Sequence, residues 1–292
     1  MSRKNYTLLF HHSNLGEANI ATLLDAAKEA GFDGVEASEY QLKRYLNAGY
    51  SIGDLKKLSE DMPILSTGYI LDCERGGYEF TRLMKECEFL FDVSSQLGAE
   101  AVQILTGPAD FRAVECFQQG LPFNGYMALQ GLELKEQEEI TVRNMKEIGK
   151  LAHRFGINIY FEPLCWTPVG SIRQGVQICE KTGLDNVKMV IDFFHGFIAG
   201  DSPDYIATLD PSVIEEVHVC DTRKAEGVPN EAVIRNVALG EGDVPVGEWI
   251  DAVKATGFSG KWMYETFYLK DREQLPKDTA KKVYRKMTEL IG

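Results

Sequence analysis

Long apolar runs are missing from this 292-residue chain. None approaches the ~20 consecutive apolar residues that a membrane-crossing helix needs. The opening residues, Met1-Ser-Arg-Lys-Asn-Tyr-Thr7, lead directly into a strand-like run and lack the ~7–15-residue apolar stretch of a secretory signal. Basic residues are scarce beside acidic ones, 31 against 44, for a net charge of −13. Such a surface repels nucleic acid and anionic membrane, so neither is expected as a partner. The six cysteines (Cys73, Cys87, Cys116, Cys165, Cys179 and Cys220) form no Cys-x-x-Cys pair, which argues against a zinc ribbon or a dithiol redox motif. Reduced thiols packed as small hydrophobes are expected, and with them a cytoplasmic location. No Gly-x-Gly-x-x-Gly follows an early strand, so a dinucleotide-binding domain has little support. No low-complexity linker or composition break divides the chain, so residues 1–292 read as one domain.

What is present is a regular alternation. Short runs rich in Val, Ile and Tyr occur at 6–11, 34–38, 64–70, 101–106, 157–162, 187–192, 216–220 and 261–266. They resemble strands buried in a parallel sheet. Helical spacing fills most intervals, as in Ile20, Leu23, Leu24 and Ala27, or Thr141, Met145, Ile148, Ala152 and Phe155. Gly31, Gly98, Gly156, Gly183 and Gly257 each stand between a helical pattern and a strand, where a helix C-cap favours glycine. Eight strands in βα order, with 44% apolar composition, predict an α/β fold, a (β/α)8 TIM barrel in a single domain. Two β→α connections are long, from Thr106 to about Lys135 and from Asp221 to about Gly247. On a barrel such loops lie at the catalytic end; they read as lids or as contacts of a homo-oligomer.

Four residues stand near the ends of four of these strands: Glu162 in Ile-Tyr-Phe-Glu-Pro, Asp192 in Val-Ile-Asp-Phe-Phe-His, His218 in Val-His-Val-Cys-Asp, and Glu265 in Met-Tyr-Glu-Thr. A buried carboxylate is costly unless it is paired or ligates a metal. No Lys or Arg shares those strand ends, so a metal site is favoured over a salt-bridge cluster. Carboxylate oxygens with one imidazole suit Mn²⁺ or Mg²⁺, with Co²⁺ or Zn²⁺ also accommodated. His195, His12, Arg223 and Trp166 are the candidates for binding a small polyhydroxylated substrate. His11, Glu36 and Tyr69 lie at the same end of the predicted barrel, and Cys165 and Cys220 lie near the ligands.

The pattern strand-Glu-Pro, strand-Asp-x-x-His, strand-His-x-x-Asp, Gly-x-Gly and strand-Glu resembles the xylose-isomerase-like barrel superfamily of sugar isomerases and epimerases. Inosose isomerases are the relatives it most resembles, then ketose 3-epimerases and hydroxypyruvate isomerases. The resemblance implies that Glu162, Asp192, His218 and Glu265 hold one divalent ion, Mn²⁺ or a similar one. It further implies that Glu162 and Glu265 act as acid and base through an enediolate, and that His195 binds substrate. Pro168 stands where ketose 3-epimerases carry a second glutamate, and Arg223 matches their arginine only loosely. The expected activity is therefore isomerisation or epimerisation of a ketose, inosose or keto-sugar. Two alternatives remain: a lyase on the same scaffold, dehydrating an inosose or cleaving a C-glycoside of a keto-sugar, and a non-enzymatic metal- or sugar-binding protein.

Overall fold

The computed structural model describes residues 5–292. Residues 1–4, part of the segment read above for a secretory signal, lie outside the described residues. Eight parallel strands close into a barrel in chain order: β1 (Thr7–His11), β2 (Gly34–Ser38), β3 (Ile64–Ile70), β4 (Ala101–Leu105), β5 (Asn158–Glu162), β6 (Val187–Asp192), β7 (Ile214–Val219) and β8 (Lys261–Tyr264). The fold is the expected (β/α)8 barrel. All eight strands lie within about two residues of their sequence-based bounds, with β7 starting earlier and β8 ending at Tyr264. Among the described residues no helix is long and apolar enough to cross a membrane.

Alternation along each strand decides what the barrel encloses. Successive side chains point to opposite faces. On β5, Ile159 and Phe161 pack outward into the main core with the helices, as do Val35 and Ala37 on β2, Met189 and Ile191 on β6, and Val217 and Val219 on β7. The intervening positions face the lumen, where Ala101, Tyr160 and Val190 form a small cluster of their own. By the same alternation Glu36, Glu162, Asp192, Glu216 and His218 also project inward, and all five are buried.

Helix boundaries follow local chemistry. The helix Ile172–Thr182 starts at a capping box: the Ser171 side chain accepts from the Gln174 N–H, and the Gln174 side chain returns to the Ser171 backbone. It ends at Gly183 in the left-handed conformation. All five glycines expected at helix ends have φ between 67° and 93°. The long connections are not bare loops. The first contains the helix Phe111–Gln118 and the second the single turn Glu231–Ile234.

Candidate metal centre

Strand register brings the quartet together. Glu162 ends β5, and Asp192 ends β6 in direct register with His218 on β7. Glu265 follows β8, yet its N–H still donates to the Val219 carbonyl at 3.1 Å, so sheet pairing continues through it. One ligand atom from each of the four lies within 4.8 Å of the others. His218 Nδ1 is 3.4 Å from Glu265 Oε2 and 3.9 Å from both Glu162 Oε1 and Asp192 Oδ2. Those separations exceed hydrogen-bonding distance for most of the set. Glu162 Oε1 and both ring nitrogens of His218 are buried without a hydrogen-bond partner. Three carboxylates and an imidazole, converging with unsatisfied atoms, fit the donor set of a divalent ion.

Neighbouring side chains hold these groups in place. Gln103 Nε2 donates to Glu162 Oε2 at 2.7 Å, and the Cys220 thiol approaches Asp192 Oδ2 at 2.9 Å. The other Asp192 oxygen accepts from the His195 backbone N–H at 2.7 Å, which caps the helix Phe193–Ala199. His195 Nδ1 accepts the Cys165 N–H at 3.1 Å, so its proton belongs on Nε2, 3.9 Å from Glu162 Oε1. Trp166 packs beside it, with ring centroids 5.4 Å apart, and its indole N–H donates to the Pro108 carbonyl.

Arg223 is not among the groups that the structure gathers here. It is exposed, and its nearest acidic partner is Asp243 at 3.8 Å. The arginine at the site is Arg235, which the sequence reading passed over. Its guanidinium is 3.1 Å from Glu265 Oε2 and 3.0 Å from Glu231 Oε2, between the rings of Phe194 and Phe267, each 4.5 Å away. One basic group thus does reach the carboxylates, from a loop and not from a strand end. The Glu231-x-x-x-Arg235 spacing, one helical turn inside the second long connection, was the available signal. Asp221 fixes that loop: its carboxylate accepts from the N–H groups of Thr222, Gly240 and Gly242 at 2.8–2.9 Å. A Cβ at Gly242 would collide with Asp221, which explains the glycine there.

His12 lies one layer to the side. It stacks on His11 at 4.4 Å, and its Nε2 is 3.9 Å from Glu36 Oε1. Burial, and then His11, push its pKa down to about 3, so it is neutral. His11, and not His12, lines the cavity above the quartet. Tyr69 also lines that cavity.

The electrostatics are uneven. Burial, then Asp192 and Glu265, push the Glu162 carboxyl well above the usual range. Burial opposes ionisation of Glu265 too, but Arg235 and His218 outweigh it and hold that carboxyl well below the usual range. His218 is also opposed by burial, yet Glu265 and Glu36 push it up to about 10. The surrounding carboxylates therefore favour positive charge at the position of His218 Nδ1.

The cavity over the quartet has a volume of about 230 Å³. Besides His11 and Tyr69, its polar lining includes Gln103, Glu162, His195, Glu231, Arg235 and Glu265, and Leu71, Leu105, Leu164, Trp166 and Phe267 form most of its apolar side. A larger cavity, about 810 Å³, opens at the opposite end of the barrel between His153, Asn158, Lys188 and Asp210. None of the clusters of three or more ligand atoms among the described residues lies there.

The profile of the xylose isomerase-like TIM barrel family matches residues 24–287. The chain belongs to that family. A segment of 138 residues is 27% identical to an inosose isomerase of Halalkalibacterium halodurans, covering 45% of this chain and 47% of that protein. The match thus spans about half the length of that curated relative. The IolI protein crystallised with a bound zinc atom superposes with a TM-score of 0.85 at 19% identity, over 98% of both chains. A D-allulose 3-epimerase from Methylomonas sp., crystallised with D-allulose, gives 0.71 at 16% identity, over 99% of this chain and 98% of that one. At such identities the two structures speak for the barrel family members' shared fold.

Proposed function

We propose that the chain is a divalent-metal-dependent isomerase or epimerase of a small polyhydroxy ketone. The observation that carries this reading is the quartet, three members buried and Glu265 partly so, with Glu162 Oε1 and His218 Nδ1 unsatisfied and aimed at one point. Its likeness to relatives named for inosose and D-allulose supports the substrate class. The donors suit Mn²⁺ first, and Mg²⁺, Co²⁺ or Zn²⁺ are compatible with the same set. Six free thiols are in keeping with a reducing cytoplasm.

When bound, the ion polarises a substrate carbonyl and acidifies the C–H beside it. In this reading Glu162 and Glu265 move the protons. One removes the proton from the carbon between carbonyl and hydroxyl, and the other returns one to the opposite face or to the neighbouring carbon. Gln103 holds Glu162 through Oε2 and leaves Oε1 facing His195 and His218. Arg235 holds Glu265 from the other side. His195 offers its Nε2–H to a substrate oxygen, a role set by the Cys165 N–H on its other nitrogen.

The apolar side of the cavity favours a second reading, elimination of a non-sugar substituent from the same kind of substrate. One experiment addresses both. Ketoses, inososes and keto-glycosides are incubated with the protein and Mn²⁺ in D₂O and followed by NMR and mass spectrometry. Deuterium beside the carbonyl with the carbon skeleton intact is the expected result. Loss of a substituent identifies a lyase. Absence of both deuterium uptake and substituent loss from every substrate, with Mn²⁺ and with Mg²⁺, Co²⁺ or Zn²⁺ in its place, overturns the enzymatic reading.

A further inference from the structure

Glu36, on β2, is wholly buried, and neither of its carboxylate oxygens has a hydrogen-bond partner of good geometry. Three imidazoles surround it. His11 Nε2 is 3.1 Å from Oε1, His12 Nε2 is 3.9 Å from Oε1, and His218 Nε2 is 3.7 Å from Oε2. His11 and Glu36 are direct register partners on β1 and β2, so the strands themselves fix their approach.

One ligand atom from each of His11, His12 and Glu36 falls within 4.8 Å of the others, as a second metal site would require. The hydrogen bonds around His11 argue otherwise. The Ser13 N–H donates to His11 Nδ1 at 3.1 Å. Ser13 Oγ accepts from the Thr266 N–H at 3.1 Å, which leaves its own proton for the same Nδ1 at 2.7 Å. Nδ1 is therefore an acceptor, and the ring proton sits on Nε2. His11 presents Glu36 with an N–H, not with a lone pair for a metal. What Glu36 can do is accept. His218 completes the arrangement, because its Nδ1 faces Glu162, Asp192 and Glu265 while its Nε2 faces Glu36 Oε2 at 3.7 Å and, farther off, Glu216 Oε2 at 4.0 Å.

We propose that Glu36 is the outer carboxylate of the metal site, a positioning residue that keeps the His218 proton on Nε2 and leaves Nδ1 free to bind the ion. The proposal rests on the metal reading above. A histidine that ligates a metal generally donates its other N–H to such a group, which fixes its tautomer and ring orientation. Gly68 on β3 supplies the room: a Cβ there would lie 2.9 Å from Glu36 Oε1 and 2.6 Å from Gln103 Oε1. One absent side chain thus makes space both for the group behind His218 and for the group that holds Glu162.

The test measures Zn²⁺ affinity of wild type and Glu36→Gln by competition with a chromophoric chelator. It also measures the His218 tautomer in the Zn²⁺-loaded proteins by long-range ¹H–¹⁵N NMR, and thermal unfolding without metal. In wild type, Nε2 of His218 is protonated and Nδ1 is not. Glu36→Gln weakens Zn²⁺ binding about 10–100-fold and shifts the Nε2–H resonance. If the Gln variant does not fold, Glu36→Asp, which keeps the charge but withdraws it by one methylene, is expected to lose affinity in the same direction. Wild-type affinity within twofold in a folded variant, or a His218 with Nε2 unprotonated, overturns the assignment of Glu36 while the metal reading stands. A wild-type protein that binds neither Zn²⁺ nor Mn²⁺ overturns both.

Discussion

Two of the ionic clusters among the described residues of this barrel are built differently. Toward the strand N-termini, Lys261 Nζ lies 2.8 Å from Glu215 Oε1 and 3.1 Å from Glu216 Oε1, and Lys188 Nζ lies 3.0 Å from Glu215 Oε2. Ser66 Oγ donates to Glu216 as well. Two ammonium groups meet the two buried carboxylates at contact distance, and the exposed Glu100 also reaches Lys261, at 3.3 Å. Toward the strand C-termini, three carboxylates face His218 across 3.4–3.9 Å, and Arg235 touches only Glu265 among them. The first cluster closes on itself, apart from Glu216 Oε2, which faces His218 at 4.0 Å. The second leaves acceptors open around a common point. Burial alone does not separate a structural ion cluster from a ligand site; the spacing and the unsatisfied atoms do.

The largest expected effect comes from removing one proton-moving group of the upper cluster. Glu162→Gln keeps the volume and the acceptor for Gln103 but abolishes the charge. Turnover is expected to fall about 10²–10⁴-fold, measured by deuterium uptake on the best substrate found. The metal-free protein should lose no stability, because burial and two neighbouring carboxylates already disfavour ionised Glu162. A variant with full activity would remove Glu162 from the mechanism. A variant that is markedly less stable would remove the contrast between the clusters.

The lower cluster should respond in the opposite way. Lys261→Met leaves Glu215 buried with Lys188 as its remaining cation beside the Asn158 amide, and Glu216 buried with the Ser66 hydroxyl but no cation in contact. Breaking a buried pair from one side costs about 3–5 kcal/mol, to be read from denaturant unfolding. The folded fraction should still bind Mn²⁺. Loss of metal affinity without loss of stability would show that the two clusters work as one unit.

Much of this was legible in the chain. Strand alternation and the glycines at helix ends announced the barrel, since both are local properties. The quartet was legible because each member ends or adjoins a buried strand, where an isolated charge has no other rationale. Gln103 also left a sign, a lone amide inside Ala-Val-Gln-Ile-Leu, but its partner Glu162 is remote in sequence. Arg235 was hidden for a different reason. It lies outside the strands, and its position depends on Asp221 gathering the backbone N–H groups of Gly240 and Gly242, remote in sequence, together with that of its neighbour Thr222. Glu36 was visible in the middle of β2 without its meaning, which rests on which nitrogen of His11 carries the proton, and that follows from Ser13 and Thr266.

The two arginines of the second long connection give the smallest and most discriminating effect. Arg223 stands nearer in sequence to His218 and was the natural choice for a substrate contact. It is 56% exposed and 3.8 Å from an exposed Asp243, a geometry that contributes little in water. Arg223→Ala is expected to change stability by less than about 1 kcal/mol and to leave KM within twofold. Arg235→Lys conserves charge but loses the planar fork that spans Glu231 and Glu265 and the stacking between Phe194 and Phe267. It should lower kcat/KM at least tenfold. If Arg223→Ala raised KM more than Arg235→Lys did, the exposed arginine would close over bound substrate, and the boundary of the upper cluster would have to be redrawn to include its loop.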